Sequence, residues 1–456
     1  MRRFAVVVAL VLILFSLVVK KALTPPAFEK EDNGQVILGS DVPVLPLARF
    51  VNFVMEPFKR QVLPMDEATI RKLALAKGVN LSNFVGSEIM DLGLFRHQLA
   101  DCDANANFIG RLHCRDQFAV GLAVQWRLSQ IIQSHPEVLE EQIVAPLVLT
   151  GLPRSSSTYL HQVLSDLGLG LRFPTFWESG CGPVPLEALS PEDVGSERDP
   201  RMVHAKRTLE MIKTSPTAAV LHEFHGLMEP EEETGWLQHS FALLRWESYA
   251  LFLRSMQGDA RLKYRFFKRL LQVAQWEHWV RTGERPRWLL KTPDHLMSLN
   301  ELVEFFPDVR LVAISRDATP AMKSLVVLNH HINSVLRTPL VEDALLFSKG
   351  YICMGLEGLN MLSTLRVNKT FVTFEQATRD TKATVERIVR FAGLEWGRNE
   401  ETRLEVVMKR RKDLHSQKPR FTYNMNDFGL NATAIRELLA RCPEELRGMR
   451  ARSHMP

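Results

Sequence analysis

Residues 147–160, Leu-Val-Leu-Thr-Gly-Leu-Pro-Arg-Ser-Ser-Ser-Thr-Tyr-Leu, constrain this chain more than any other stretch. They read as an apolar β-type run, a loop of small residues and the start of an amphipathic helix. Small side chains let backbone N–H groups close around an anion, and the helix that follows turns the partial positive charge of its N-terminus toward the same point. Ser157 and Thr158 add hydroxyl donors, so the segment suits a phosphate or a sulfate. A Walker A loop needs Gly-Lys and then Ser or Thr across positions 156–158; here those positions are Ser156-Ser157-Thr158, and the cation stands upstream at Arg154. That argues against an ordinary P-loop nucleoside triphosphatase. Taken alone, the stretch also reads as a Ser-rich strand-to-helix turn with a capping role.

A second strand–helix step follows at residues 287–296, with a strand ending on Lys291 and a helix opening near Asp294. Leu299, Leu302, Val303, Phe305 and Phe306 have helical spacing, and residues 309–315 form a buried-type strand with Arg316 immediately beyond it. Strands alternating with helices predict an α/β fold in which helices flank a central parallel sheet. In such a sheet the side chains past the carboxyl ends of the strands line the ligand crevice. Lys291, Arg316 and the loop after Leu149 are therefore expected to converge on one polyanion, with Ser324 on the next helix joining Arg316 at a second phosphate. A net charge of +5 is too mild to imply nucleic acid, yet it suits an enzyme whose ligands are polyanions. The five cysteines include no CxxC pair, so neither a zinc site nor a dense disulfide framework is signalled.

The N-terminus predicts something different. Arg2 and Arg3 precede an apolar run over residues 4–19, broken only by Ser16 and closed by Lys20 and Lys21. The run predicts an uncleaved membrane anchor over 1–21 rather than a cleaved signal, because no small-residue cleavage site follows it. Prolines in 22–60 predict a stem. Asp66 is placed to cap a helix that Gly78 can end, a longer helical region runs from about 111 to 133, and a short helix opens at Pro136. Residues 61–145 thus read as a helical region packed on a core domain spanning 146–456. On the anchor rests an expected single-pass location with a lumenal catalytic domain, in the Golgi or endoplasmic reticulum.

Residues 151–158 resemble the PRSGTT-type loop with which sulfotransferases hold the 5'-phosphosulfate of 3'-phosphoadenosine 5'-phosphosulfate (PAPS). Arg316 with Ser324 resembles their 3'-phosphate pair, and Lys291-Thr292-Pro293 their lysine segment. His135-Pro136-Glu137, Trp177-Glu178, the acidic run 229–233, Leu271-Gln272, Phe374-Glu375 and residues 426–430 echo the same broad family, so the likeness spans roughly 135–430. The resemblance implies a P-loop-like sulfotransferase fold and transfer of a sulfuryl group from PAPS to an acceptor hydroxyl or amine, leaving adenosine 3',5'-bisphosphate. No metal is expected. The family's loop glycine is Ser156 here, and a serine driven to positive φ holds a conformation that glycine takes freely.

On this reading Arg154, Ser155, Ser156, Ser157, Thr158 and Tyr159 belong to the donor site together with Arg316 and Ser324. Lys418 and Arg420 sit where relatives carry a loop that closes over the nucleotide. Lys291 and Arg154 meet the charge that develops in transfer. Glu178 is the first candidate for general base, against the alternative that it is a structural carboxylate paired with an Arg; His222, His225 and His295 are rivals. The acidic run 229–233 reads as a solvated helix start rather than a cation site. The acceptor is expected to be a small molecule or a glycan, with lumenal placement favouring a glycan or a secreted or lipid-linked alcohol. Two other classes stay open: an atypical nucleotide-dependent kinase and a non-catalytic scaffold of the same fold.

Overall fold

The computed structural model describes residues 36–453 apart from 43, 81–88, 181, 183–188, 213–216, 218–220, 222–225, 243–247, 257, 339 and 417–420. A five-stranded parallel sheet lies at its centre, built from β2 (Leu147–Gly151), β3 (Leu171–Arg172), β4 (Arg287–Lys291), β5 (Arg310–Ser315) and β6 (Asn368–Thr373) in the order β3-β4-β2-β5-β6. A separate parallel pair joins β1 (Val36–Leu38) to β7 (Phe421–Tyr423).

The main helices are α1 (Pro46–Met55), α2 (Glu67–Leu75), α3 (Leu92–Asn105), α4 (Phe108–Ser134), α5 (Ser157–Asp166), α6 (Phe176–Ser179) and α7 (Pro200–Ile212) in the first half. The second half adds α8 (Ala260–Thr282), α9 (Leu299–Phe305), α10 (Ala318–Leu336), α11 (Val341–Thr364), α12 (Thr381–Phe391), α13 (Arg398–Ser416) and α14 (Cys442–Ser453).

The central strands are apolar on both sides because both faces are covered, as a parallel sheet requires. Val148, Leu290, Leu311 and Ala313 pack with Phe266, Phe267, Leu270 and Leu271 of α8. Leu147, Leu149, Leu289, Val312 and Ile314 alternate to the opposite face, against Leu160 and Val163 of α5 and Val385 and Ile388 of α12. Register then decides where the polar residues fall. Leu149 pairs with Lys291 and Gly151 with Ile314, so the carboxyl ends of β4, β2 and β5 lie side by side. Gly151 takes φ +157°, and a Cβ there would stand 2.1 Å from the Ile314 carbonyl oxygen. Only glycine lets the loop leave the sheet so close to β5.

Asp66 caps α2 as expected, accepting from Thr69 N at 2.8 Å, and the long helix predicted near 111–133 is α4. Within the expected stem, Val36 and Leu38 are buried against β7, so this part of 22–60 is knitted into the domain. Cys353 of α11 and Cys442 of α14 form a disulfide.

The expectations of a membrane anchor, of membrane attachment through the N-terminal segment and of a Golgi or endoplasmic reticulum location are corrected. Among the described residues no helix is long and apolar enough to cross a membrane. The run over 4–19 that motivated those expectations lies outside the described residues.

Candidate functional site

Backbone conformation builds the first half of the site. After β2 the chain turns through Arg154 (φ 63°) and Ser156 (φ 68°), two left-handed residues that are not glycine, before α5 begins at Ser157. Such residues cost roughly 1–2 kcal/mol each and persist where the surroundings over-determine them. The turn aims the N-terminus of a ten-residue helix into a cavity of about 920 Å³ lined by Arg154, Ser155, Ser156, Ser157, Thr158 and Tyr159. Ser155 is fully buried, and its Oγ has no hydrogen-bond partner among the described residues. Buried hydroxyls are ordinarily satisfied, so this one points to a ligand acceptor.

The two arginines meet on the far side of that loop. Arg154 Nε donates to Ser324 Oγ at 3.0 Å, Ser324 in turn shares a hydrogen bond of 3.1 Å with the Tyr423 hydroxyl, and Arg316 donates to the Arg154 carbonyl oxygen. Arg316 also stacks 4.0 Å over the ring of Phe374. Burial, and then the neighbouring Arg154, lower the pKa of Arg316. Among the described residues no carboxylate forms a salt bridge to either arginine, and two cations held this close favour an anion between or beside them.

Lys291 completes the convergence from the end of β4. Its side chain is only 2% exposed, and its ammonium donates to Thr158 Oγ1 at 3.0 Å and to the Glu232 carboxylate. Arg154 and Arg316 thus line one cavity, with Ser324 bonded to Arg154 and Lys291 held against Thr158 and Glu232 of the same lining.

The acidic run 229–233 does lead into a helix, Thr234–Leu237, with Glu233 at its N-cap, but it is packed into the fold rather than fully solvated. It is stitched to 174–177 by Glu231 N donating to the Pro174 carbonyl at 2.9 Å and Phe176 N to the Glu229 carbonyl at 3.1 Å. Its carboxylates then meet cations and donors inside the fold. Glu229 pairs with Arg411 at 2.8 Å, Glu232 with Lys291, and Glu233 accepts from Lys291 N at 2.8 Å and pairs with His295 at 2.7 Å. Glu231 lines a second cavity, and Glu232, with Thr234, lines both that one and the loop-side cavity.

Glu178 is placed differently. Its Oε2 accepts from Thr175 N at 3.1 Å and Thr175 Oγ1 at 2.9 Å in a capping box, while Oε1 accepts from Arg172 at 3.0 Å. Phe176 and Ser179 of the same helix reach the second cavity; Glu178 lines neither. The carboxylate sequence reasoning set first as base is thus occupied in holding α6. His295 is fully buried between Glu233 and the Tyr264 hydroxyl, 2.7 Å away. His222, His225, Lys418 and Arg420 lie outside the described residues.

Lys409, Arg411 and Lys412 of α13 add positive charge to the loop-side cavity and were not singled out from the sequence. Arg411 is committed to Asp166 and Glu229 at 2.8 Å each, which raise its pKa despite its burial. These residues were missed because a basic amphipathic helix reads as a solvated surface. Glu232 was missed as an individual because five near-identical acidic positions carry no signal telling one from another.

The second cavity, about 210 Å³, is lined by α3, α4, α6, α7, residues 231–241 and the end of α10. It has no counterpart among the sequence motifs.

A model described as the sulfotransferase family matches residues 146–398, the stretch that carries β2 through β6. The fold is similar to the crystal structure of sulfotransferase STF9 from Mycobacterium avium, at 21% identity and a TM-score of 0.65, covering 83% of this chain and 95% of that one. It is also similar to sulfotransferase STF1 from Mycobacterium tuberculosis H37Rv, at 20% identity and a TM-score of 0.63, covering 82% and 98%. No curated protein matches the sequence.

Proposed function

Because the chain belongs to the sulfotransferase family, we propose that it transfers a sulfuryl group from PAPS to an acceptor hydroxyl in the space shared by its two cavities. The observation that carries this reading is the convergence of the left-handed Ser-rich loop, Arg154 and Arg316 on one cavity, with Lys291 held against its lining residues Thr158 and Glu232 and with a buried Ser155 hydroxyl that has no partner among the described residues. That is a cradle for an anion with two charged ends. The loop N–H groups, Ser155, Ser157 and Thr158 hold the 5'-phosphosulfate, while Arg316, Ser324 and Arg154 hold the 3'-phosphate, with Lys409 and Lys412 beside them.

PAPS supplies an activated sulfuryl group; the protein supplies alignment and charge. Lys291, fixed between Thr158 and Glu232, stabilises the negative charge that grows on the bridging oxygen as its bond to sulfur breaks. Glu232, at the junction of both cavities, takes the acceptor proton as the acceptor oxygen bonds to sulfur. We assign the base to Glu232 rather than Glu178 because Glu232 lines both cavities, whereas Glu178 lines neither and is held by Thr175 and Arg172. Adenosine 3',5'-bisphosphate and a sulfate ester are the products.

Binding and transfer are tested together. Calorimetry should show PAPS bound in preference to ATP, and radiolabelled donor should deliver sulfate to an alcohol pool. Glu232→Gln should lower kcat about 10²–10⁴-fold and remove the acidic limb of the pH–rate profile. Preference for ATP would favour a kinase, and binding of neither nucleotide a non-catalytic scaffold.

A further inference from the structure

The second cavity carries information about the acceptor that no motif holds. We propose that it selects a compact, uncharged alcohol with an apolar body and a second hydrogen-bond donor; this rests on the sulfotransferase reading above. Its size sets the first limit. A space of about 210 Å³ lies below the roughly 300–1,000 Å³ of ordinary ligand pockets, enough for one short chain or ring system and not for a saccharide chain. Phe118, Phe176, Phe241, Ile332 and Leu336 supply apolar walls.

Charge sets the second. Asp101, Glu231 and Glu232 line the space against one arginine, Arg337, which is itself drawn to Asp101 at 3.5 Å and Asp343 at 3.9 Å. An acidic acceptor would enter beside three carboxylates with no uncommitted arginine to meet it.

The donor requirement comes from α4 and α7. Lys77 and His204 both reach Asp116, at 2.6 and 3.3 Å, and together hold its carboxyl well below the usual carboxylate range despite its burial. In the neutral tautomer that gives its Nδ1–H to Asp116, His204 has Nε2 as the acceptor for the Gln117 amide N–H, the two nitrogens being 3.1 Å apart. The amide is then oriented, and its Oε1, sealed from solvent, has no partner among the described residues. Gln117 lines the cavity, so an O–H or N–H on the acceptor is the group that would satisfy it.

The test uses the full chain, labelled PAPS and five acceptors: a straight-chain primary alcohol, the matching diol, a fused-ring alcohol, a neutral disaccharide and an acidic disaccharide. The uncharged apolar alcohols should be sulfated, with the diol showing a KM about tenfold below that of the mono-alcohol. Gln117→Leu should erase that difference. Thr208→Trp, filling the cavity from α7, should lower kcat/KM for every alcohol at least about tenfold while adenosine 3',5'-bisphosphate binds as to the wild type. Donor binding with preference for either disaccharide, or a diol preference that survives Gln117→Leu, would overturn this proposal alone. Failure of the wild type to bind either nucleotide would overturn the donor reading and this proposal with it.

Discussion

The loop-side cavity is built around strand ends and one contiguous loop, with α10, α11 and α13 closing it, whereas the helix-lined cavity has no strand end in its wall and draws on separate stretches between residues 98 and 337. The first is cationic and anchored to the most deeply buried strands; the second is apolar and acid-lined, with walls from helix flanks. A parallel sheet fixes where every strand ends relative to its neighbours, so residues just past those ends meet whatever the helices do. Helix flanks meet only through packing, and their contacts depend on every loop between them. One region is therefore set by topology and the other by side-chain detail, which suits a common donor and a particular acceptor.

The sharpest way to break that contrast is at Lys291, whose ammonium is held between Thr158 of the loop and Glu232 at the junction of the two cavities. Lys291→Met keeps the stem and removes the charge, and should lower kcat by about 10²–10³-fold with donor affinity reduced far less. A loss confined to stability in thermal unfolding, with kcat intact, would return Lys291 to a structural role.

Beneath the helix-lined side, Glu277 of α8 is buried, and burial raises its pKa to about 7 against the pull of Arg201, Arg281 and Arg172. A carboxyl raised from 4.5 in the unfolded chain favours folding fully below about pH 4.5, and that contribution is lost as pH rises through 7. The difference of roughly 2.5 units corresponds to about 3 kcal/mol. Glu277→Gln should flatten the denaturant-measured stability profile between pH 4.5 and 7. An unchanged slope would assign the pH dependence elsewhere.

Arg316→Ala tests the far end of the loop-side cavity. It should weaken PAPS and adenosine 3',5'-bisphosphate binding about 10- to 100-fold by calorimetry, the loss of one or two charge-assisted hydrogen bonds worth about 2 kcal/mol, with unfolding little changed. Unaltered affinity would remove Arg316 from the donor site. The smallest effect is expected at Ser156→Gly, which relieves the left-handed φ of 68° and should stabilise the fold by at most about 1 kcal/mol while sulfate transfer persists.

Much of the loop-side cavity was legible. An apolar run, a small-residue loop and a helix start are local events, and the order strand–Lys291, strand–Arg316 needs only the parallel-sheet rule to bring them together. The positive φ anticipated for Ser156 is likewise a local demand of the turn. Glu178 misled because Phe-Trp-Glu after an anion loop looks like a catalytic carboxylate until Thr175 and Arg172 are seen holding it. Glu232 could not be picked from Glu229–Glu233 because only the stitching of 229–231 to 174–177 decides which carboxylate faces Lys291.

By itself, then, the order of residues along this chain determined the parallel sheet, the small-residue loop after β2 and the identity of the cations near its edge, since these follow from hydrophobic period, residue size and strand polarity. Tertiary packing alone decided that Glu232 spans the two cavities, that Asp116, His204 and Gln117 form a relay in the wall of one of them, and that the acidic run is internal. Those outcomes join residues dozens to hundreds of positions apart, and short-range pattern carries no record of such distances.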